Sequence, residues 1–353
     1  MNANTRPLSM PFHEWPLQDQ ARWKAAVIPQ PFDLNPKPLA AWSVATHRHA
    51  TSNYGIWLRF IERTEPDILL LPLERRVTPQ RIGRFLGERL PQISAATLAQ
   101  HALDLYGVMT SLSPGEDWGW LGQVRRLTGT HAKRQPPKQR AFVHASELLC
   151  VGEKLLAKAF SDSAELNDPV AFRDGLIILM LILVPVRIAQ FSLIRLDQHL
   201  VQTRENEWTL YWEEAETKTR RKITYPLRSE LVEVLQIYLD QVRPALCQRR
   251  KGNAASQALW IGNSGAPIGA KVLRGIIKAR TKEELGYKVT PHTFRSSAAS
   301  SYAIEAPAHA REASALLDHA DPRTTERYYL VGQRARHLRT AHAALRAIRK
   351  ATA

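Results

Sequence analysis

Apolar residues first recur with a helical period in the stretch after Pro38, where Tyr54, Trp57, Leu58 and Ile61 fall at i, i+3, i+4 and i+7. That spacing lays one apolar stripe along a helix. The period returns at Ile82, Phe85, Leu86 and Leu90, opened by Thr78 as a capping residue and Pro79 in the first turn. A third stripe runs through Leu98, Ala102, Leu105, Tyr106 and Met109. Together the three predict a small all-helical bundle. The residues before it, 1–36, are rich in proline and polar groups with scattered Trp15, Trp23 and Phe32. They read as a weakly ordered arm with room for one short helix.

The second half of the chain has a different texture. Its longest apolar run, Gly175 to Val186, is bracketed by Asp174 and Arg187 and is far shorter than the roughly 20 residues a membrane-spanning helix needs. It predicts a buried core helix. The segments WTLYW (Trp208 to Trp212) and KITYP (Lys222 to Pro226) read as two strands joined by Glu213 to Arg221. Helical patterns on both sides, GAKVLRGIIKART included, make this small sheet an insertion in a helical domain. Between the halves, THAKRQPPKQR combines Pro136 and Pro137 with Lys133, Arg134, Lys138 and Arg140. Paired prolines favour an extended, stiff linker, and its charge suits a strap along a phosphate backbone or a solvated surface equally. The predicted organisation is an arm over 1–36, a helical bundle over 37–130, a basic linker over 131–141 and a larger domain over 142–335. A C-terminal amphipathic helix over 336–353 carries Leu338, Ala341, Leu345 and Ile348 on one side.

Composition narrows the partner. The chain has 353 residues, with 49 Lys and Arg against 33 Asp and Glu, for a formal charge of +16. Such an excess favours a polyanion. Cys150 and Cys247 are far apart in sequence and lack metal-ligand spacing, so neither a disulfide framework nor a zinc site is expected. The first residues, MNANTRPLSMPFHEWP, lack the basic start and apolar stretch of a signal peptide. The expectation is a cytoplasmic, nucleoid-associated protein with no membrane partner.

Four short segments carry the chemistry. Arg187 lies in PVRIAQFSLIRL, Lys218 in ETKTRRKITYPL, His292 and Arg295 in TPHTFR, and His319 and Tyr328 in LLDHADPRTTERYY. A phosphodiester is a poor electrophile because its anionic oxygens repel a nucleophile, so cleavage without metal needs fixed cationic donors. Arginine suits that task through its permanent charge and forked geometry. Thr290 and Pro291 predict a helix start, which places His292 and Arg295 one turn apart near the amide-rich end that attracts phosphate. Lysine on a flexible stem can protonate a leaving oxygen. No carboxylate cluster suited to two magnesium ions is present, so no cofactor is expected.

In order and spacing these segments resemble the signature boxes of the tyrosine recombinase (phage integrase) family, whose active site reads Arg, Lys, His-x-x-Arg, His, Tyr. The resemblance implies a mostly α fold with two-domain tyrosine recombinase architecture. That is an N-terminal helical core-binding bundle plus a C-terminal, mainly helical catalytic domain with a small antiparallel β-sheet, closing on DNA as a C-shaped clamp. It further implies site-specific recombination, with strands cut through a 3′-phosphotyrosyl link and exchanged through a Holliday junction. By the family pattern the catalytic set is Arg187, Lys218, His292, Arg295, His319 and Tyr328, with Tyr328 the nucleophile and Tyr329 its adjacent rival. Lys133, Arg134, Lys138, Arg140, Arg220, Arg221 and Lys222 are candidate DNA contacts. The implied partners are double-stranded DNA with a specific site, further copies of the chain forming a tetramer on two sites, and accessory recombination proteins. The C-terminal helix suits exchange between protomers, or packing on its own domain.

The chain departs from the family's usual boxes at Gln190, where a glutamate is usual, at Ser296 and Ser297, and at Asp318, where a glycine is usual. Gln190 is neutral, so a hydrogen bond is expected where the family makes an ion pair. Two other readings stay open. One is a type IB topoisomerase with a similar residue set, which the His292-x-x-Arg295 pair disfavours. The other is a catalytically silent DNA-binding accessory protein, which intact chemistry at all six positions disfavours.

Overall fold

The structure is a computed structural model that describes residues 6–29, 38–136, 142–160, 165–204, 207–217, 220–250 and 256–305. The chain divides into two compact units, residues 1–139 and 140–353.

The first unit is all-helical: α1 (Leu17–Ala26), α2 (Pro38–Ala41), α3 (Val44–Thr64), α4 (Leu73–Arg76), α5 (Pro79–Arg89), α6 (Ala95–Leu112) and α7 (Gly119–Arg134). Hydroxyl caps start three of these helices. Ser43 accepts from the Thr46 amide, Thr78 from Arg81 and Ser94 from Thr97, each satisfying a donor the helix cannot. The predicted stripes face inward, with Trp57, Leu58, Ile61, Phe85, Leu105 and Met109 all buried. Each such side chain contributes roughly 1.5–3 kcal/mol by leaving water. Leu90 is the exception: it lies at the C-cap of α5 and stays half exposed.

Residues 6–29 differ from the weakly ordered arm read from their composition. Trp15 and Trp23 are buried in the bundle core and pack around Tyr54. Met10 bonds the Gly55 carbonyl at 3.0 Å, and the approach is so close that a Cβ at Gly55 would lie 2.4 Å from the Met10 oxygen. Asp19, fully buried, accepts from Tyr54 at 2.7 Å and from Arg76 at 2.8 Å. Burial beside that carboxylate pushes the Tyr54 hydroxyl well above its ordinary pKa. A buried ion with several charge-assisted hydrogen bonds specifies how α1 docks, because removing one partner strands the other charge.

His101 gives this unit a pH dependence. It is 3% exposed on α6 and its Nδ1 has no partner among the described residues. Burial, assisted by the charge of Arg89, lowers its pKa to about 4. The folded unit therefore keeps His101 neutral where the unfolded chain would protonate it. Stability from this site is fully present above about pH 6.5 and falls as pH drops toward 4, by on the order of 3 kcal/mol in all. After division by the intrinsic rate, which itself falls with pH, the protection of the α6 amides in the full chain is expected to drop between pH 7 and pH 5, and His101→Leu to flatten that drop. Equal pH slopes in both proteins would rule the site out.

The second unit comprises α8 (Ala145–Lys158), α9 (Pro169–Leu183), α10 (Ile188–Ser192), β1 (Leu200–Arg204), β2 (Glu207–Trp212), β3 (Ile223–Pro226), α11 (Ser229–Ile237), α12 (Arg243–Cys247), α13 (Ala270–Leu285) and α14 (Pro291–Glu305). The apolar run is α9, capped by Asp168 onto the Val170 and Ala171 amides at 2.9 Å. It is buried on every side from Ala171 to Ile182, the mark of a core helix. Its contact with α8 is made close by glycine, since a Cβ at Gly175 would stand 2.8 Å from the Gly152 carbonyl. Arg173 and Asp174, at its start, are buried as a pair that also binds Arg280 and Asn263. The sheet is antiparallel in the order β1-β2-β3. Leu210 and Trp212 of β2 turn inward, with Trp212 opposite Ile223. The two predicted strands are β2 and β3. The third, β1, is the short polar LVQTR, whose alternation is too weak to read without its partner. Among the described residues, no helix is long and apolar enough to cross a membrane.

Candidate active site

Pro185 ends the core helix. A residue before proline is driven out of the helical region, and Val184 sits at φ −122°, ψ 79°. The chain turns, and Arg187 becomes the N-cap residue of α10 with extended backbone and a half-buried side chain. Behind it, Phe191 stacks on Trp260 at 4.9 Å, and the Trp260 indole donates to the Phe191 carbonyl at 3.0 Å. The short helix bearing Arg187 is therefore pinned to the core by a large aromatic pair.

The HTFR segment arrives on α14. Thr290 accepts from the Thr293 amide at 3.4 Å, and Pro291 opens the helix as the pattern predicted. His292 is exposed at this start, whereas Arg295 is 8% exposed. Arg295 Nη1 donates to the carbonyl of Pro185. That bond ties the arginine of the second box to the turn two residues before the arginine of the first. The acceptor is main chain, so no side-chain pattern could have announced it. The described structure thus brings the Arg187 and Arg295 segments together, with His292 at the exposed end of the same helix. A guanidinium fixed against the turn that leads into a second arginine suits an anionic, oxygen-rich centre.

Lys218, His319 and Tyr328 lie outside the described residues, as do Lys138 and Arg140. Arg220, Arg221 and Lys222 follow Lys218 in the β2–β3 connection and are exposed. Arg220 has φ 50°, the one non-glycine residue in the left-handed region among those described. Lys222 is not an isolated cation, since its ammonium lies 3.6 Å from Glu213 and over the Tyr211 ring. Lys133 and Arg134 are exposed in the last turn of α7, in the first unit.

Gln190 lies buried on α10. A hydrogen bond was expected to replace the family's ion pair, yet its Nε2, on a side chain 7% exposed, has no partner among the described residues. A buried donor left without an acceptor costs roughly 1–3 kcal/mol.

Residues 153–334, more than half of the chain, match the pattern described as "Phage integrase family". The tyrosine recombinase XerC of Pelotomaculum thermopropionicum is 28% identical over 180 residues, which cover 50% of this chain and 56% of that protein. XerC of Mycobacterium leprae is 28% identical over 211 residues, covering 59% and 66%. The chain thus spans between about half and two thirds of these relatives. Among solved structures, the XerH site-specific recombinase bound to its difH substrate superposes with a TM-score of 0.58 at 13% identity, covering 93% of this chain and 96% of that one. A lambda integrase tetramer bound to a Holliday junction gives 0.55 at 16% identity, covering 92% and 81%. At such identities the likeness is one of fold. The sequence match over the second unit, together with the recombinase fold around the two arginines, makes this chain a member of the phage integrase family.

Proposed function

We propose that the chain is a site-specific DNA recombinase that cuts and rejoins strands through a tyrosine. As its hydroxyl proton passes to His292, Tyr328 Oη attacks the scissile phosphorus, forming a 3′-phosphotyrosyl bond as the bond to the 5′ oxygen breaks. The leaving 5′ oxygen takes a proton from Lys218 and departs as a hydroxyl. Because the phosphotyrosyl bond conserves the energy of the broken one, a 5′-hydroxyl from another strand can attack it and restore a phosphodiester without ATP. Arg187, Arg295 and His319 offset the charge that develops on the pentavalent phosphorus. His292, which takes the tyrosine proton, stands at the α14 start.

The observation that supports this reading most is the buried Arg295 donating to the Pro185 carbonyl. A permanent cation fixed against the turn that leads into a second arginine suits a phosphoryl transition state better than loose attraction to a backbone. Partners follow from the same reading: duplex DNA with a defined site, further copies of the chain that bring two sites into a tetramer, and accessory recombination proteins. XerH and lambda integrase were solved on DNA, the latter also as a tetramer on a Holliday junction.

The test is covalent capture. Nicked suicide duplexes containing a randomised central segment are incubated with the full chain, denatured, and any protein-linked DNA recovered and sequenced. The expected result is an adduct with one consensus site, attached through the 3′ phosphate. Retention of duplex in native gels with no adduct on any sequence would defeat the enzyme reading and leave a DNA-binding accessory protein in its place.

A further inference from the structure

The connection that carries Lys218 is held from one side by a cluster that the six-residue signature does not contain. Glu216, two residues before Lys218, gathers three donors on its carboxylate: the Glu213 amide at 3.0 Å, the Gln198 amide at 2.8 Å and the His199 ring Nε2 at 2.9 Å. His199 is 3% exposed. Its other nitrogen, Nδ1, accepts the Arg195 backbone N–H at 3.0 Å, so the ring proton sits on Nε2 and points at Glu216. The ring also stacks on Trp212, at 5.9 Å and 29°. The hydrogen bond from His199 draws the Glu216 carboxyl below its ordinary pKa. Next to Glu216, Thr217 is 5% exposed and its hydroxyl accepts the Arg221 amide at 3.0 Å, while the Arg220 amide donates to the Thr217 carbonyl at 3.2 Å. Both sides of the lysine position are therefore anchored.

The anchor leads back to the first arginine. The turn from Arg195 to His199 closes with the His199 amide on the Arg195 carbonyl at 3.0 Å, and Leu196 bonds the Gln257 carbonyl at 2.9 Å. This turn follows directly on α10, which Arg187 caps. His199 and Glu216 thus form a bridge between the segment after Arg187 and the residue two before Lys218.

We propose that His199 and Glu216 are a positioning pair for the proton donor, fixing the base of the β2–β3 connection so that the Lys218 ammonium meets the leaving 5′ oxygen; this rests on the recombinase reading above. The lysine stem has four rotatable carbons and no geometric preference of its own, so precision must come from where its backbone is held. Misplacement of a reacting group by about 1 Å costs on the order of 100-fold in rate. The pair touches neither DNA nor phosphate in this account and acts only through Lys218.

The experiment measures single-turnover cleavage of the captured suicide site in two versions. One has the natural 5′ oxygen at the scissile bond, and the other has sulfur in that bridging position. A thiol ionises about seven pK units more readily than water, so a sulfur leaving group departs as thiolate and needs no proton donor. Glu216→Ala and His199→Ala are expected to cleave the oxygen substrate 10- to 100-fold more slowly than the wild type, yet to come within about threefold on sulfur. Lys218→Ala should show the same selective recovery. Gln198→Ala, at an exposed residue, should give a weaker copy of the pattern without disturbing the core, and Glu216→Ala with His199→Ala together should lose little more than either alone. Equal loss on both substrates in Glu216→Ala and Gln198→Ala would make the cluster structural only and overturn the proposal. So would wild-type rates on oxygen, or a Lys218→Ala defect that sulfur does not relieve. Failure of the wild type to attach to any duplex would instead overturn the recombinase reading itself.

Discussion

Tyr328→Phe is expected to abolish covalent attachment to DNA within detection, while Tyr329→Phe leaves it within a few-fold of wild type. On the proposed mechanism, loss of one hydroxyl removes the atom that forms the phosphotyrosyl bond, so the effect is complete rather than graded. The neighbour is not expected to substitute. Consecutive residues of a helix would point about 100° apart, and a nucleophile displaced by that much would be out of line with the leaving group. Native gels provide the control, since a phenolic oxygen adds little to the many phosphate contacts that retain duplex. Peptide mapping of the wild-type adduct to Tyr329, with attachment surviving Tyr328→Phe, would reverse the assignment.

Arg295→Lys is expected to slow attachment 100- to 1,000-fold while duplex retention changes only a few-fold. Lysine preserves the charge but offers one compact ammonium in place of a fork. Arg295 already commits Nη1 to the Pro185 carbonyl, and a lysine at that depth can satisfy the carbonyl or a phosphate oxygen but lacks the geometry for both. Because the residue is 8% exposed, Arg295→Ala would also leave a cavity and an unpaired carbonyl, which confuses chemistry with folding. The lysine variant separates them. A drop in duplex retention equal to the drop in attachment would show that Arg295 serves ground-state binding instead.

The mostly α architecture could be read before any coordinates because its signals are local. Apolar spacing at 54, 57, 58 and 61 and a Thr78-Pro79 opening are written in consecutive residues, and helices α3 and α5 follow them closely. The places where reading fell short depend on partners distant in the chain. Trp15 and Trp23 resemble stray aromatics in a proline-rich stretch until Tyr54 supplies their surroundings. Strand β1 is defined by its pairing with β2. His199 sits after Asp197 and Gln198 in a polar run, and only its bond to Glu216 and its stacking on Trp212 mark it out. At the site, motif order singled out Arg187 and Arg295, but not the carbonyl that joins their segments.

That carbonyl has a genetic consequence. Every amino acid at position 185 carries the same main-chain oxygen, so no substitution there deletes the acceptor; proline contributes the helix stop that leaves the oxygen turned toward Arg295. In a saturation mutagenesis screen, position 295 should tolerate almost nothing, while position 185 declines gently with the strength of the helix stop. No second-site change of side chain at 185 can compensate a lost arginine, and suppressor searches should return none there. The one chemical handle is an amide-to-ester exchange at Val186, which weakens the oxygen as an acceptor without altering any encoded side chain.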